Sequence, residues 1–201
     1  MTGRAMPAQH KFYGYKMTDD TGFAPCASGQ YLSLACCMTS IRGRAPLGSW
    51  VAGFGGKQFG NGHLIYLMQV NEVMTFDQYF REKRFRDRLD NVYYKENGVY
   101  RQITSARAHR TAREQEHDVS VDRVLVASRF VYFGNRPIHV PQQFAPLVPH
   151  HRNYCVNDGE KTSEFAAWAF THGSGCLSVP HQPLPPLPDA LIHIQGVGLA
   201  H

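Results

Sequence analysis

The sequence has no apolar run near the roughly 18 residues that a membrane span requires. Met1 to Lys11 is small and polar, without the apolar core of a secretory leader. The expected location is the cytoplasm, with no membrane partner. Cysteine is sparse and odd in number, five in all with Cys36 and Cys37 adjacent, which suits reduced thiols better than a disulfide framework. The phosphate-binding loops are missing as well. Gly56-Lys57 is followed by Gln58, where a P-loop needs Ser or Thr, and Gln58 also stands where the third Gly of a dinucleotide fingerprint would follow Gly53-x-Gly55. There is no Gly-x-Ser-x-Gly elbow and no His-x-Glu with Pro-Cys-x-x-Cys, which argues against a serine-hydrolase nucleophile and against zinc-dependent base deamination. His151, Cys155, His172, Cys176 and His181 are zinc-ligand types, but they form no Cys-x-x-Cys pair and run in the wrong order for a finger. No metal site is assigned, and no cofactor is identified.

What is present fits one domain. A chain of 201 residues with 43% hydrophobic content can bury one sizeable core, and twelve Phe and ten Tyr make that core aromatic. The net charge of +5 is unevenly spread. Between Arg81 and Arg113 ten Lys/Arg stand against four Asp/Glu, a local +6, so the remainder is close to neutral. Such an excess attracts polyanions, and a nucleotide or nucleic acid is the partner it implies.

Patterning predicts a strand over Lys11–Lys16, a turn at Asp19-Asp20-Thr21-Gly22, and an amphipathic helix carrying Tyr31, Leu34, Ala35 and Met38 that ends near Arg42, before Gly43. In that helix one of Cys36 and Cys37 would pack as an inert core thiol, leaving Cys26, in a loop, as the thiol to probe. Ser49–Phe54 and His63–Val73 read as strands joined by a glycine-rich tip. Thr75–Leu89 reads as a helix opened by a Thr75/Gln78 capping box. Asp90–Asp118 reads as a long polar loop, Arg123–Phe133 as one buried strand, Pro137–Pro149 as extended chain and Ser163–Thr171 as a helix stopped by Gly173. Pro180–Pro188 favours polyproline II, as a strap, a linker or a partner-docking segment. The fold class is α+β: a bent, mostly antiparallel sheet, with a PUA-like barrel as its closed version, and two to three flanking helices. The expected layout is a flexible N-terminus (1–10), one domain (11–178) and a Pro-rich tail (179–201).

His117, Asp118 and Asp122 form the most chemical group. Carboxylates beside a His can do general acid–base work if they come within hydrogen-bond reach. The alternative is turn chemistry ahead of the strand.

A family resemblance adds to this. Asp20-x-Gly22-Phe23-Ala24-Pro25, Leu34-Ala35-Cys36-Cys37, Ile41-Arg42, Gly48-x-Trp50-Val51-x-Gly53, Leu64-Ile65-Tyr66-x-Met68-x-Val70 and Thr75-Phe76-Asp77-x-Tyr79 come first. Asp90-Asn91-x-Tyr93, Arg101-Gln102, His117-Asp118, Asp122-Arg123-Val124-Leu125 and Phe130-x-Tyr132-Phe133-Gly134 follow. In this order the series resembles the second type of nucleotide-modification-associated domain over about residues 11 to 178. Three positions depart from the family pattern: Ser49 and Cys26 replace its usual Asp and Asn, and the His expected shortly after Gln102 falls nearest Arg107, with His109 two positions on. The resemblance implies a role on modified bases or their nucleotides, in phage or bacterial DNA modification or defence. It points to His117, Asp118 and Asp122 as acid–base groups and to Asp20, Phe23, Arg42, Asp90, Asn91, Tyr93, Gln102 and Tyr132 as nucleotide-binding positions. Arg42 would fork onto a phosphate, Asn91 or Gln102 would read a base edge, and Phe23 or Tyr132 would stack on the base. An enzyme is one reading. A non-catalytic module that reads a modified base in DNA or RNA is the other.

Overall fold

A computed structural model describes residues 11–150, 153–156 and 159–185. The expected flexible N-terminus, His151 and the tail beyond 185 lie outside the described residues. The chain forms β1 (Phe12–Met17), β2 (Cys26–Ser28), β3 (Tyr31–Leu34), one helical turn α1 (Thr39–Arg42), β4 (Trp50–Gly55), β5 (His63–Gln69) and β6 (Glu72–Met74). Helix α2 (Phe76–Arg81) and a 3₁₀ turn (Lys83–Phe85) lead to β7 (Tyr93–Glu96), β8 (Val99–Gln102) and α3 (Ala112–Val119). Then come β9 (Val124–Ala127), β10 (Arg129–Tyr132), β11 (Ile138–His139), a 3₁₀ turn (Gln142–Leu147), β12 (Asn153–Val156), α4 (Gly159–Thr171) and β13 (Gly175–Cys176).

The fold is α+β, with bent sheets and flanking helices. One sheet runs in the order β12-β1-β4-β5-β10-β13, with β11 also on β5, and a second runs β2-β3-β9-β6. Pairing is antiparallel except for β1 with β4 and β10 with β13. Among the described residues no ladder joins the ends of either sheet, so the barrel version of the expected fold is not formed. Alternation along the strands builds stacked layers. Tyr13, Tyr15, Val51, Ile65 and Met68 point from the first sheet onto Leu32, Leu34, Leu125 and Ala127 of the second. Phe12, Ala52, Leu64 and Leu67, on the opposite face, pack under α4 with Phe165 and Ala169. Val124 and Val126, on the outer face of the second sheet, pack with Phe76, Tyr79 and Tyr93 of α2 and β7. Among the described residues no helix is long and apolar enough to cross a membrane.

Several elements differ from the sequence pattern. No helix forms over 31–38. Gly29, at φ +58°, turns β2 into β3 with Ser28 opposite Tyr31, and only Thr39–Arg42 is helical. Leu32 and Leu34 fill one face of β3 while Ser33 turns to Tyr79 and Asp90 on the other, so a two-residue period governs where a helical spacing was read. The long strands over 63–73 and 123–133 each break and switch sheets. Asn71 sits at both breaks: its N–H donates to Val126 and its side-chain oxygen accepts from the N–H groups of Ser128 and Arg129. The Thr75/Gln78 capping box is formed, but α2 stops at Arg81 because Glu82 takes an extended conformation. The segment read as a loop over 90–118 holds a hairpin and a helix. Asn97 and Gly98, both at positive φ, turn β7 into β8, and a second capping box, Thr111 with Glu114, starts α3.

Gly53 has a steric reason to be glycine. An added Cβ would lie 2.4 Å from both Met17 Sδ and Tyr66 Cε1, inside the layer between the sheets. Gly53→Ala is expected to cost about 1–3 kcal/mol through overpacking, measured as a lower urea midpoint with an unchanged slope.

Candidate active site

After β3 the chain passes through Ala35 and Cys36, both fully buried, and then takes two consecutive left-handed residues, Cys37 (φ 57°) and Met38 (φ 32°), before α1. Side chains with a Cβ resist this region at a cost of about 1–3 kcal/mol each, so other bonds must impose it. The Cys37 N–H donates to Asp118 Oδ1 (2.7 Å) and the Cys37 carbonyl accepts from Arg42 Nε (2.8 Å). Arg42, fully buried, also donates to the carbonyls of Val121, Arg123 and Asp118, each at 2.7 Å. Its guanidinium therefore clasps the start of α1 to the end of α3.

Asp118, on α3 and fully buried, is the centre of the arrangement. Its Oδ2 lies 2.5 Å from His109 Nδ1 and accepts from Tyr93 Oη at 3.0 Å. On the other side of the ring, His109 Nε2 lies 3.4 Å from Cys37 Sγ. His109 is itself left-handed (φ 54°), and its carbonyl accepts from Gln102 Nε2 at 2.9 Å. Gln102 lies opposite Tyr93 in the β7–β8 ladder, and its side-chain oxygen accepts from Gln115 of α3. Phe23 packs against the His109 ring with centroids 5.0 Å apart. Sulfur, imidazole and carboxylate thus form a relay whose base is oriented by a third group, the geometry that activates a cysteine nucleophile.

The electrostatics follow from these contacts. Burial alone would depress the His109 pKa, but the hydrogen bonds to Asp118 and Cys37 outweigh it and raise it to about 10. Burial would push the Asp118 carboxyl up, yet the bonds from His109, the Cys37 N–H and Tyr93 hold it below the ordinary carboxylate range. An ionised carboxylate only accepts, so Nδ1 carries a proton and Nε2 faces the sulfur. Cys36, His109 and Asp118 also form a set of metal-ligand types. However, two atoms on one tetrahedral zinc ion stand about 3.3 Å apart, and the 2.5 Å between Nδ1 and Oδ2 is that of a hydrogen-bonded pair.

Cys37, His109 and Phe23 open onto a cavity of about 390 Å³, also lined by Tyr15, Lys16, Met38, Arg107, Glu114 and Leu184. Residues 177–184 lie across the domain to reach it. The N–H of Leu177 donates to Tyr132, the Val179 carbonyl accepts from Asn135, and the N–H of Gln182 donates to the Asp20 carbonyl.

Of the residues singled out from the sequence, Phe23, Arg42, Tyr93, Gln102 and Asp118 meet around this relay. The rest lie elsewhere. Asp20 is fully buried beneath the C-terminal segment, accepting from Tyr132 Oη (2.6 Å) and the His181 N–H (3.0 Å), with burial raising its pKa. Asp90 accepts from Ser33 and Tyr79, with Arg88 3.7 Å away. Asn91 donates to the carbonyls of Tyr79 and Phe85. Asp122 accepts from the Phe76 N–H at the start of α2 and from Lys95. His117 is exposed on α3, 3.5 Å from Thr39 Oγ1. Within the basic stretch, Arg81, Arg84, Arg88, Lys95 and Arg101 pair with nearby acids, which reduces the charge free to meet a polyanion.

The sequence reading made neither Cys37 nor His109 a site residue, although the family resemblance expects a His shortly after Gln102 and His109 stands two positions past the nearest match. The signals for His109 were the Asn97-Gly98 turn, which returns Gln102 to Tyr93, and the Thr111-x-x-Glu114 box, which starts a helix two residues after it. Cys37 was hidden by the mistaken helix.

The fold and site define an α+β protein whose cavity holds a Cys–His–Asp relay. The family described as nucleotide modification associated domain 2 matches residues 9–184, and the chain belongs to it. Neither a curated protein nor a solved structure matches the chain.

The relay should also show in stability. The raised His109 pKa contributes stability that is complete below its unfolded value of about 6.5 and is lost as pH rises through about 10. The depressed Asp118 contribution is present above its unfolded value and is lost as pH falls through its native one. Urea unfolding as a function of pH should show the alkaline loss in the wild type and a flatter profile in His109→Asn.

Proposed function

We propose that the chain is an enzyme acting on a modified nucleobase or its nucleotide by covalent catalysis. Cys37 is the nucleophile, His109 the acid–base group that stands protonated beside its sulfur at neutral pH, gives that proton to the leaving group and takes one back from water, and Asp118 the carboxylate that orients the imidazole. The observation that supports this is the relay itself, with Sγ 3.4 Å from Nε2 and Nδ1 2.5 Å from Oδ2, opening on a half-open cavity. In paired cysteines the sulfur attacks as the thiolate once the imidazole has its proton. Tyr93, Gln102 and Arg42 act through these groups as positioning residues: Tyr93 on the carboxylate, Gln102 on the His109 backbone, Arg42 on the Cys37 backbone. The nucleotide part of the reading comes from family membership. The cavity is of the size of small-ligand sites, which run from about 300 to 1,000 Å³. Tyr15 and Phe23, both almost fully buried, stand in its wall.

A cavity of that size also fits the second reading, a module that holds a modified base without changing it. The two readings diverge at Cys37. In the enzyme reading, the purified protein alters the nucleoside profile of modified phage DNA or of a nucleotide pool, followed by mass spectrometry. Cys37→Ala and His109→Ala should each lower that turnover by about a thousandfold or more. Saturable binding of modified DNA or nucleotide that survives Cys37→Ser, with no product at any enzyme concentration, would select the module instead.

A further inference from the structure

We infer that the substrate of this site is a nucleobase carrying an acyl group on an exocyclic amine, and that Cys37 removes that group through a thioester. This rests on the nucleophile reading above and deepens it. The argument is geometric. His109 Nε2 faces Sγ, so the nitrogen that receives the thiol proton stands beside the atom under attack and can pass a proton to whatever leaves it. An amine departing from an amide needs that proton, whereas displacement at an alkyl carbon does not. A thiolate paired with an imidazole matches acyl carbon, and a thioester is the intermediate it forms.

The remaining lining fits such a ligand. Phe23 and Tyr15, both almost fully buried, stand in the wall of the cavity, and Arg107 stands on the same cavity for a phosphate, while the Lys16 ammonium donates to the His150 carbonyl. Arg107 already turns one nitrogen to the Leu184 and Pro185 carbonyls, while its Nε is buried with no hydrogen-bond partner among the described residues. Arg110 and Arg113, exposed on either side of the start of α3, add positive charge near His109 with no acidic partner among the described residues.

The steps balance without an added oxidant or reductant. The Cys37 thiolate bonds to the carbonyl carbon, the carbon–nitrogen bond breaks, and the leaving amine takes the proton from His109. Water then attacks the thioester, His109 accepts its proton, the carbon–sulfur bond breaks, and a carboxylic acid leaves with the Cys37 thiolate and the protonated His109 restored. Water is the sole co-reactant.

The test mixes the full chain with cytidine monophosphate acetylated on its exocyclic amine, with the adenosine counterpart, and with single-stranded oligonucleotides holding the same acetylated bases. Intact-protein mass spectrometry after a rapid quench should show one acetyl group, mapped to Cys37 by peptide analysis and removed by hydroxylamine. The deacetylated base should appear in step, and both should be lost in Cys37→Ala. Acetyl transfer from the mononucleotides identifies a free nucleotide as the source. Transfer from the oligonucleotides alone identifies a base within a strand. If Cys37→Ala fails to fold, the mapped adduct on the wild type carries the result unaided. Two failures are distinguishable. If iodoacetamide labels Cys37 faster than the exposed Cys176 and this advantage disappears in His109→Ala, yet no acetylated base yields an adduct or product, the acyl assignment is overturned and the nucleophile stands. If Cys37 labels no faster than Cys176 and without regard to His109, the nucleophile reading falls and the acyl proposal with it.

Discussion

The guanidinium of Arg42 is the interaction on which the rest of the site depends. A buried arginine is costly unless its donors are met, and here they are met by backbone carbonyls of residues 37, 118, 121 and 123. Those carbonyls belong to two stretches of chain that are otherwise remote, the turn after β3 and the junction between α3 and β9. Phe76 covers the guanidinium with its ring 5.3 Å away, and the Asp118 carboxylate balances its charge from nearby. Held from this one point, Cys37 can occupy a backbone conformation that its Cβ disfavours, with its sulfur aimed at an imidazole 72 positions further along the chain.

The same economy explains the buried acids. Asp20, Asp90 and Asp118 are all fully enclosed, yet only Asp118 reaches a group on the cavity. Asp90 knits β3 to α2 through Ser33, Tyr79 and Arg88, and Asp20 ties the 180s to the Tyr132 hydroxyl. Each is met by donors, as buried charges must be. A motif that mixes such struts with chemistry gives no indication of which acid does which.

Much of the framework was legible in the sequence. The strands at 12, 50 and 63, the Thr75 cap and the last helix carry strong local signals, and the three-dimensional contacts agree with them. The residues around 31–38 were misread because Leu34, Ala35 and Met38 repeat at a helical interval by coincidence, while the deciding feature, the Gly29-Gln30 turn, is only two residues long. The sheet switches were invisible for a different reason: Asn71 acts through partners more than fifty positions away, which no local window contains. The site was half legible. Asp118, Tyr93, Gln102, Arg42 and Phe23 all carried motif weight, but the two groups that complete the relay sit in left-handed turns whose conformation is imposed by long-range bonds rather than by local preference. Charge counting could not separate the cations between 81 and 113 that are answered by acids close in space from Arg107, Arg110 and Arg113, which have no acidic partner among the described residues.

One carboxylate joins the two ends of the described chain. Asp20 receives the His181 N–H across 161 positions, Pro180 rests where a side chain on Gly22 would stand, and four residues after Pro180 Leu184 forms part of the cavity wall. The bonds that anchor this segment are therefore also bonds that shape the chamber. Neither can loosen alone: peeling the segment away would strip a partner from an enclosed anion and breach the chamber in the same movement, so the dimensions available to a guest are set in part by how firmly the far end of the chain is held.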